Sequence, residues 1–284
     1  MAKELFDIED NEIRVVGATE SKHEIPTTKW PKWLWLIIAF ALIAAIFVFW
    51  AINRPNNTSS IYSVESVADT TQSVSYQSST ETKAYVVFSC DSVNDIALQI
   101  YTPVGGHAEL LVGQLPDNDS NIILAAQAAD YRADNGKIAG AFVFKGELLS
   151  RGHPKYGFCA IIGDTITMGM SQETALFERA VDQEGYFFRQ FSLIHDGKLG
   201  ESFPKGKAVR RALCYYKERV SIIETVERES MHDFTQALLD MGVQEAISLV
   251  GSISIPLYVD ENGNRITNEV EHQEDVQENY IVWE

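Results

Sequence analysis

One long apolar run constrains most strongly what this chain can form. Residues 33–52 read WLWLIIAFALIAAIFVFWAI, twenty residues without a charge. An α-helix rises about 1.5 Å per residue, so a helix of this length spans roughly 30 Å, the thickness of a bilayer's hydrocarbon core. Tryptophan stands at or near both ends of the run, where indole rings favour the membrane–water boundary. The run therefore predicts a single transmembrane helix in contact with membrane lipid.

The basic residues around this run predict its orientation. Five Lys or Arg residues precede it, whereas Arg54 is followed by no basic residue until Lys83. Lys and Arg resist translocation, so the N-terminal tail should stay in the cytoplasm and the larger remainder should face outward. The sequence thus predicts a single-pass membrane protein with an extracytoplasmic C-terminal domain.

Composition divides the chain into five parts. Residues 1–32 are predicted as the cytoplasmic tail and 33–52 as the membrane span. Residues 53–83 are dominated by Ser, Thr, Gln and Asn, which bury too little apolar surface to fold, so they are predicted as a spacer. A globular domain is expected over 84–260, and 261–284 form an acidic segment with one last strand.

The net charge limits the partners of the outer part. The chain carries −17, and the first 32 residues hold five basic against seven acidic residues, so about −15 belongs to the part beyond the span. Such a surface repels nucleic acid, which is therefore not expected as a partner. The identity of any protein partner stays unknown from the sequence.

The cysteines and histidines suggest no metal or cofactor. Cys90, Cys159 and Cys214 lie in apolar, strand-like runs, and no C-x-x-C spacing is present. Two interpretations stay open, three small buried hydrophobes or one disulfide with a free thiol. The six histidines are scattered along the chain, so a metal site is not predicted.

Local patterns in the outer domain predict hairpins and a few helices. Hairpins are expected for residues 139–149 around Lys145-Gly146, 158–168 around Gly163-Asp164, and 212–226 around Lys217-Glu218. Residues 172–180 are predicted as a short helix. A second helix should begin after Ser230, which can form a capping box with Asp233, and end at Gly242. The predicted fold class is α+β, with a single N-terminal transmembrane helix before a mixed, largely antiparallel sheet domain with a few packed helices.

Three runs within 84–260 resemble a known family in their order and spacing. The first is AADYRADNGKIAGAFVFKGELL at 128–149, a corner after a buried strand followed by a hairpin. The second is RRALC at 210–214, and the third is LVGSIS at 249–254, after a helix and Gly242. Together they resemble the phosphodiester glycosidases, relatives of the enzyme that removes N-acetylglucosamine from a mannose 6-phosphodiester.

The resemblance implies a set of site residues. Hydrolysis of a sugar-1-phosphodiester needs a cation that holds phosphate and a group that moves a proton or attacks the anomeric carbon. Arg210 matches the family's arginine, and a guanidinium can bind phosphate oxygens bidentately. Asp130 and Ser254 are the implied catalytic residues, while Arg210, Gly251 and Tyr131 are the implied substrate-binding residues.

The sequence also departs from the family's pattern. Val250 stands where the family has an aspartate, and Ala128 stands where it has an asparagine. A valine neither transfers a proton nor binds a metal, so Glu224 or Asp130 would have to substitute for the missing acid. Purely structural interpretations remain for the candidates, since Arg210 lies in a basic stretch that water can solvate and Asp130 can cap a turn.

Two functions are therefore open at this stage. The first is a membrane-anchored domain that engages a sugar phosphodiester or glycan of the cell envelope, acting as a hydrolase if it is active. The second is a non-catalytic scaffold or sensor that kept the fold, lost the chemistry and binds a protein partner.

Overall fold

Several strands of this domain are buried at every position, as in β-sheets that are covered on both faces. The computed structural model describes residues 73–77, 83–116, 119–152, 155–201, 205–251, 255–268 and 275–284. All of them belong to one compact unit, Ala68–Glu284. The described residues form twenty strands and two helices, and every pairing between these strands is antiparallel.

The strands and helices have the following bounds. The strands are β1 Ser73–Gln77, β2 Tyr85–Val93, β3 Ile96–Val104, β4 Ala108–Val112, β5 Leu124–Gln127, β6 Phe142–Phe144, β7 Glu147–Ser150, β8 Gly157–Ile162, β9 Thr165–Met170, β10 Tyr186–Gln190, β11 Ser192–His195, β12 Lys198–Leu199, β13 Lys207–Ala208, β14 Arg211–Tyr216, β15 Arg219–Thr225, β16 Glu229–Ser230, β17 Glu245–Leu249, β18 Leu257–Val259, β19 Arg265–Thr267 and β20 Asn279–Trp283. The helices are α1 Ala175–Asp182 and α2 Met231–Asp240.

Three large sheets carry the fold. Sheet I has the strand order β12-β11-β17-β14-β15-β3-β2, sheet II the order β1-β9-β8-β10-β6-β7, and sheet III the order β19-β18-β5-β20-β4. The main core contains fully buried apolar side chains from all three sheets, among them Leu213, Cys159 and Ile281. Helix α2 covers the other face of sheet I, where Phe234 and Leu238 belong to a second buried cluster.

The predicted α+β fold class is wrong for the described part of the chain. Strands make up 51% and helices 9%, so the domain is a mostly antiparallel β fold with two short helices. The α+β prediction treated α1 and α2 as a helical layer, but helices of eight and ten residues are too short to cover three sheets.

Neither of these helices is long and apolar enough to cross a membrane. The cytoplasmic tail predicted at 1–32 and the span predicted at 33–52 lie outside the described residues.

The local predictions within the sheets agree better with the structure. The three predicted hairpins are present as β6–β7, β8–β9 and β14–β15. Lys217 and Glu218, at the tip of β14–β15, both have positive φ angles, 49° and 62°, as a tight two-residue turn requires. Ser230 caps α2 and accepts a hydrogen bond from the Asp233 N–H at 3.0 Å, as the predicted capping box requires.

Strands from both sides of residues 84–260 complete the sheets. Strand β1 comes from the segment predicted as a spacer, 53–83, and pairs with β9. Strand β20 comes from the acidic segment, 261–284, and lies between β4 and β5 in sheet III. The final strand expected from the sequence is therefore an interior strand of its sheet, paired on both sides.

The cysteines follow neither sequence interpretation completely. All three thiols are free. Cys159 and Cys214 are buried, and this burial raises the pKa of both thiols. Cys90 is exposed on β2, so the interpretation as three buried hydrophobes is wrong for this residue.

Asn279 fixes the corner that follows β5. Its side chain is fully buried, accepts a hydrogen bond from the Ala129 N–H at 2.7 Å and donates one to the Ala129 carbonyl at 3.0 Å. The Asn279 carbonyl also accepts from the Ala128 N–H at 3.1 Å. The last strand therefore holds the backbone immediately before Asp130.

We predict that Asn279→Ala lowers the free energy of unfolding by about 2 kcal/mol, because the buried Ala129 N–H and carbonyl lose their partners. Gln236→Ala is the control, since Gln236 bonds Asp240 on the exposed surface of α2. Its effect should stay within about 0.5 kcal/mol. Urea denaturation measures both values, and equal losses would contradict the role given to Asn279.

A second prediction concerns Glu245, whose side chain is 2% exposed beside His195. Burial raises its pKa above the ordinary 4.5, although hydrogen bonds from the Asp196 N–H and the His195 ring lower it. A raised acid pKa means that the stabilisation is complete below the ordinary pKa and is lost as the pH rises through the folded-state pKa. Glu245→Gln should therefore gain stability relative to the wild type from pH 4.5 upward, and parallel urea-denaturation profiles would contradict this.

Candidate functional site

Two of the runs that resemble the family lie side by side in sheet I, residues 210–214 and the described part of the other run, 249–251. Arg211 at the start of β14 is paired with Leu249 at the end of β17. The chain leaves β17 at Gly251, where a Cβ atom would lie 2.4 Å from the Val209 carbonyl oxygen and 2.9 Å from the Arg211 nitrogen. A side chain would not fit at this position, so glycine allows the two strand ends to touch.

Arg211 is completely buried at this meeting point. Its Nε and Nη2 donate to Glu224 Oε2 at 2.9 and 2.6 Å, and its Nη1 donates to the Val250 carbonyl at 2.8 Å. Arg211 and Glu224 are paired residues on β14 and β15, so their side chains share one face of the sheet. The guanidinium is thus enclosed by a carboxylate and a backbone carbonyl.

Tyr101 completes this buried group from β3. Its hydroxyl donates to the second carboxylate oxygen of Glu224 at 3.1 Å. Burial and the neighbouring Glu224 carboxylate raise the pKa of Tyr101, so the hydroxyl keeps its proton. Both oxygens of Glu224 are therefore engaged, and the carboxylate considered as a substitute acid is part of an internal ion pair.

The side chain of Arg210, the predicted phosphate-binding residue, does not point toward the end of β17. Its Nε donates to the Glu229 carbonyl at 2.8 Å and its Nη2 to the Gly206 carbonyl at 2.5 Å. Consecutive residues of an extended chain point to opposite faces, so Arg210 and Arg211 cannot both reach the end of β17. Arg211, rather than Arg210, is the arginine that contacts Val250.

A second polar group surrounds Lys155. The Lys155 Nζ donates to Asp130 Oδ2 at 2.7 Å and to Gln190 Oε1 at 2.6 Å, and it lies 4.9 Å from the centre of the Phe191 ring. The Lys155 side chain is 13% exposed, whereas that of Asp130 is 48% exposed. Asp130 therefore presents the open side of this group to solvent.

Arg189 holds the backbone beneath this lysine. Its guanidinium donates to the carbonyls of Lys155, Tyr156, Ser171 and Gln172. Burial lowers the pKa of Arg189. Because two of these carbonyl oxygens belong to Lys155 and Tyr156, Arg189 positions the Lys155 segment.

The two groups lie on opposite sides of the end of β17. The Phe191 carbonyl accepts a hydrogen bond from the Ser248 N–H at 2.9 Å, and Ser192 is paired with Ile247. On the other side of β17, Leu249 is paired with Arg211. We call the region formed by Asp130, Lys155, Gln190, Arg211 and Val250 the β17 corner.

Two buried polar atoms near this corner lack a partner among the described residues. They are Gln190 Nε2 and Ser192 Oγ, and their residues are 1% and 0% exposed. The Gln190 carboxamide uses its oxygen to accept from Lys155, so its N–H donors remain beside the ammonium group. A buried donor without a partner is unfavourable, and a polar ligand would satisfy it.

The remaining predicted residues are less informative. Tyr131 is half-buried and forms a backbone bridge with Ile138. Gly251 is buried where the strand ends meet. Ser254 lies outside the described residues. Val250 is half-buried, and its aliphatic side chain provides no acid or base.

Two open clefts border the start of α1, and neither is lined by a residue of the β17 corner. One, of about 340 Å³, is lined by Ser73, Thr165, Thr174 and Arg179 among others. The other, of about 660 Å³, is lined by residues that include Gln172, Glu178 and Arg189. Their size alone indicates no chemistry, and the convergent charged groups are found at the corner instead.

We predict that Arg211→Met lowers the free energy of unfolding by about 3–5 kcal/mol, because Glu224 is left buried without its partner. Arg210→Met should cost only about 1 kcal/mol, since its partly exposed guanidinium bonds two backbone carbonyls. Adding Glu224→Leu to Arg211→Met should recover much of the loss. Equal losses in the two single variants, measured by urea denaturation, would contradict the burial argument.

Comparison with known proteins adds information on the fold alone. No protein-family profile matches the sequence, and no curated protein matches it significantly. The catalytic domain of zebrafish N-acetylglucosamine-1-phosphodiester alpha-N-acetylglucosaminidase, auto-inhibited by its pro-peptide, aligns with a TM-score of 0.50 and 14% identity over 75% of this chain and 88% of that chain. A hypothetical protein from Synechocystis aligns with a TM-score of 0.39 and 10% identity over 70% and 62% of the two chains. The domain is thus weakly similar in fold to a phosphodiester glycosidase.

Proposed function

We propose that this domain binds a sugar phosphodiester or a related glycan of the cell envelope at the β17 corner and does not hydrolyse it. The observation that carries the proposal is the Lys155 group, in which an ammonium, a half-exposed carboxylate and an unpartnered carboxamide N–H converge. The weak similarity in fold to a phosphodiester glycosidase supports the same ligand class.

The donors and acceptors of this group suit such a ligand. Lys155, whose side chain is 13% exposed, can donate to a phosphodiester oxygen, and charge-assisted hydrogen bonds of this kind are the stronger ones. The buried Gln190 carboxamide holds the ammonium group in place. The exposed oxygen of Asp130 can accept from sugar hydroxyls. A phosphate and a sugar could therefore be bound side by side.

Energetics favours Lys155 over Arg211 as the phosphate-binding cation. The ion pair of Lys155 with Asp130 is open to solvent on the Asp130 side, and exposed pairs contribute only about 0–1 kcal/mol. Separating the buried Arg211 from Glu224 would cost about 3–5 kcal/mol. A ligand can therefore displace Asp130 from Lys155 far more easily than Glu224 from Arg211.

Among the described residues of this corner, no carboxylate is placed as a proton donor for hydrolysis. By the sequence resemblance, Val250 stands where phosphodiester glycosidases have an aspartate, and Glu224 is bound by Arg211 and Tyr101. Two further carboxylates lie nearby: Glu201 accepts hydrogen bonds from the backbone N–H groups of Ser192, Tyr156 and Gly157, and Asp130 is paired with Lys155. These assignments support binding without turnover.

The apolar run at 33–52 supports a location at a membrane, with the domain on its outer side. This placement remains a prediction from the sequence.

The second candidate function is a non-catalytic scaffold or sensor that binds a protein partner, and Val250 favours it because the fold persists without the acid.

We predict that the full-length chain binds methyl N-acetyl-α-glucosaminyl phosphate, a minimal sugar-1-phosphodiester, in titration calorimetry. Lys155→Met should weaken binding at least about tenfold, because a charge-assisted hydrogen bond is lost. Lys198→Met is the matched control, since Lys198 also pairs with an aspartate, Asp196, but is 80% exposed. It should leave the affinity unchanged.

The same samples test the absence of turnover by mass spectrometry. Release of free N-acetylglucosamine that disappears in Asp130→Asn would overturn the non-hydrolytic part of the proposal. Absence of binding by the wild type would remove this ligand class and leave the scaffold function.

A further inference from the structure

We propose that His107, Glu109 and Glu284 form a binding site for a divalent transition-metal ion, with zinc as the best-fitting ion. One ligand atom from each residue, an imidazole nitrogen and two carboxylate oxygens, lies within 4.8 Å of the others. Ligand atoms around a tetrahedral zinc ion are ~3.4 Å apart, given bond lengths of about 2.0–2.2 Å. Small side-chain rotations would therefore bring the three atoms to bonding distance.

The backbone positions two of these residues directly opposite each other. The His107 N–H donates to the Glu284 carbonyl at 2.9 Å, and the Glu284 N–H donates to the His107 carbonyl at 3.0 Å. Residues that exchange both hydrogen bonds are opposite partners in an antiparallel pair, so their side chains share a face. Glu109 follows two residues after His107 and therefore lies on the same face.

Gly106 makes this close pairing possible. It has a φ of +71°, and a Cβ atom at this position would lie 2.2 Å from the Glu284 carbonyl oxygen. Any other residue would push the end of β20 away from His107. The two strands thus place the potential ligands before an ion arrives, which is what a precise site requires.

Tyr186 orients the Glu109 carboxylate from sheet II. Its hydroxyl donates to Glu109 Oε2 at 2.6 Å, while Glu109 Oε1 lies 3.1 Å from His107 Nε2. One carboxylate oxygen is thus held by a second residue, and the other faces the imidazole. Hydrogen bonds of this kind orient metal ligands and tune their affinity.

The ligand types select among ions. Calcium and magnesium prefer six or more oxygen ligands, whereas an imidazole favours zinc and neighbouring transition metals. Three protein ligands would leave a position for water or another molecule. Lys145 is the competing cation, with its Nζ 3.9 Å from Glu109 Oε2, but its side chain is 60% exposed and can turn into solvent.

The test is zinc binding by the full-length chain in titration calorimetry, with cobalt(II) absorption as a second readout of the coordination. We expect one bound ion per chain, visible cobalt bands, and loss of both in His107→Ala. Tyr186→Phe should weaken zinc binding at least about tenfold, because Glu109 loses its orienting hydrogen bond.

His232→Ala is the matched control. His232 also lies beside a carboxylate, with its Nδ1 3.4 Å from Asp233 Oδ1, but no third ligand joins this pair within the described ranges. Its affinity for zinc should equal that of the wild type. His107→Gln, which keeps a polar side chain, replaces His107→Ala if circular dichroism shows that the alanine variant has unfolded.

Two results would overturn the proposal. One is the absence of measurable zinc binding by the folded wild type. The other is equal zinc affinity in the wild type and in a folded His107 variant, which would assign the binding to other groups of this acidic chain.

Discussion

The ion pair between Arg211 and Glu224 is removed from water, and this burial limits what the end of β17 can do. Arg211 is 0% exposed, and both oxygens of Glu224 accept hydrogen bonds. A buried charge that loses its partner costs about 3–5 kcal/mol, so neither residue is free to take part in a reaction. The pair connects β14 to β15 and, through the Val250 carbonyl, to the end of β17. In a solvent-exposed site, an arginine and a glutamate could bind substrate or transfer a proton. In this domain the two residues connect β14, β15 and β17.

This constraint explains why the binding proposal rests on Lys155. The Lys155–Asp130 pair differs from the Arg211–Glu224 pair mainly in exposure, because Asp130 is 48% exposed and Glu224 7%. Replacing the ion-pair partner therefore requires little free energy at Lys155 and much more at Arg211. The buried Arg211–Glu224 pair and the partly exposed Lys155–Asp130 pair together suit the binding of an anion. Bond cleavage would also need a group that donates a proton.

The sequence predicted local elements well and their assembly poorly. Hairpins such as β14–β15 depend on turn residues close in sequence, and the capping box at Ser230 depends on a spacing of three residues. Arg211 could have been found, because strand alternation places it on the same face as Leu213 of the main core. Lys155 and Gln190 could not, since the Lys155 ammonium meets Asp130 and Gln190 only when segments distant in sequence pack together. The predicted α+β class was wrong because it treated two short helices as a structural layer. The architecture of this domain is determined by strands that pair over long sequence distances.

Strand β20 connects the two proposed sites. At its beginning, Asn279 holds the backbone before Asp130, and at its end Glu284 lies opposite His107. Because β20 is paired on both sides, with β4 and β5, it cannot shift along its axis without breaking both ladders. An ion that joins Glu284 to His107 and Glu109 would resist separation of β20 from β4, and a fixed β20 keeps Asn279 on Ala129. A single strand thus carries the residue that holds the backbone before Asp130 at its beginning and leads into a ligand of the proposed metal site at its end.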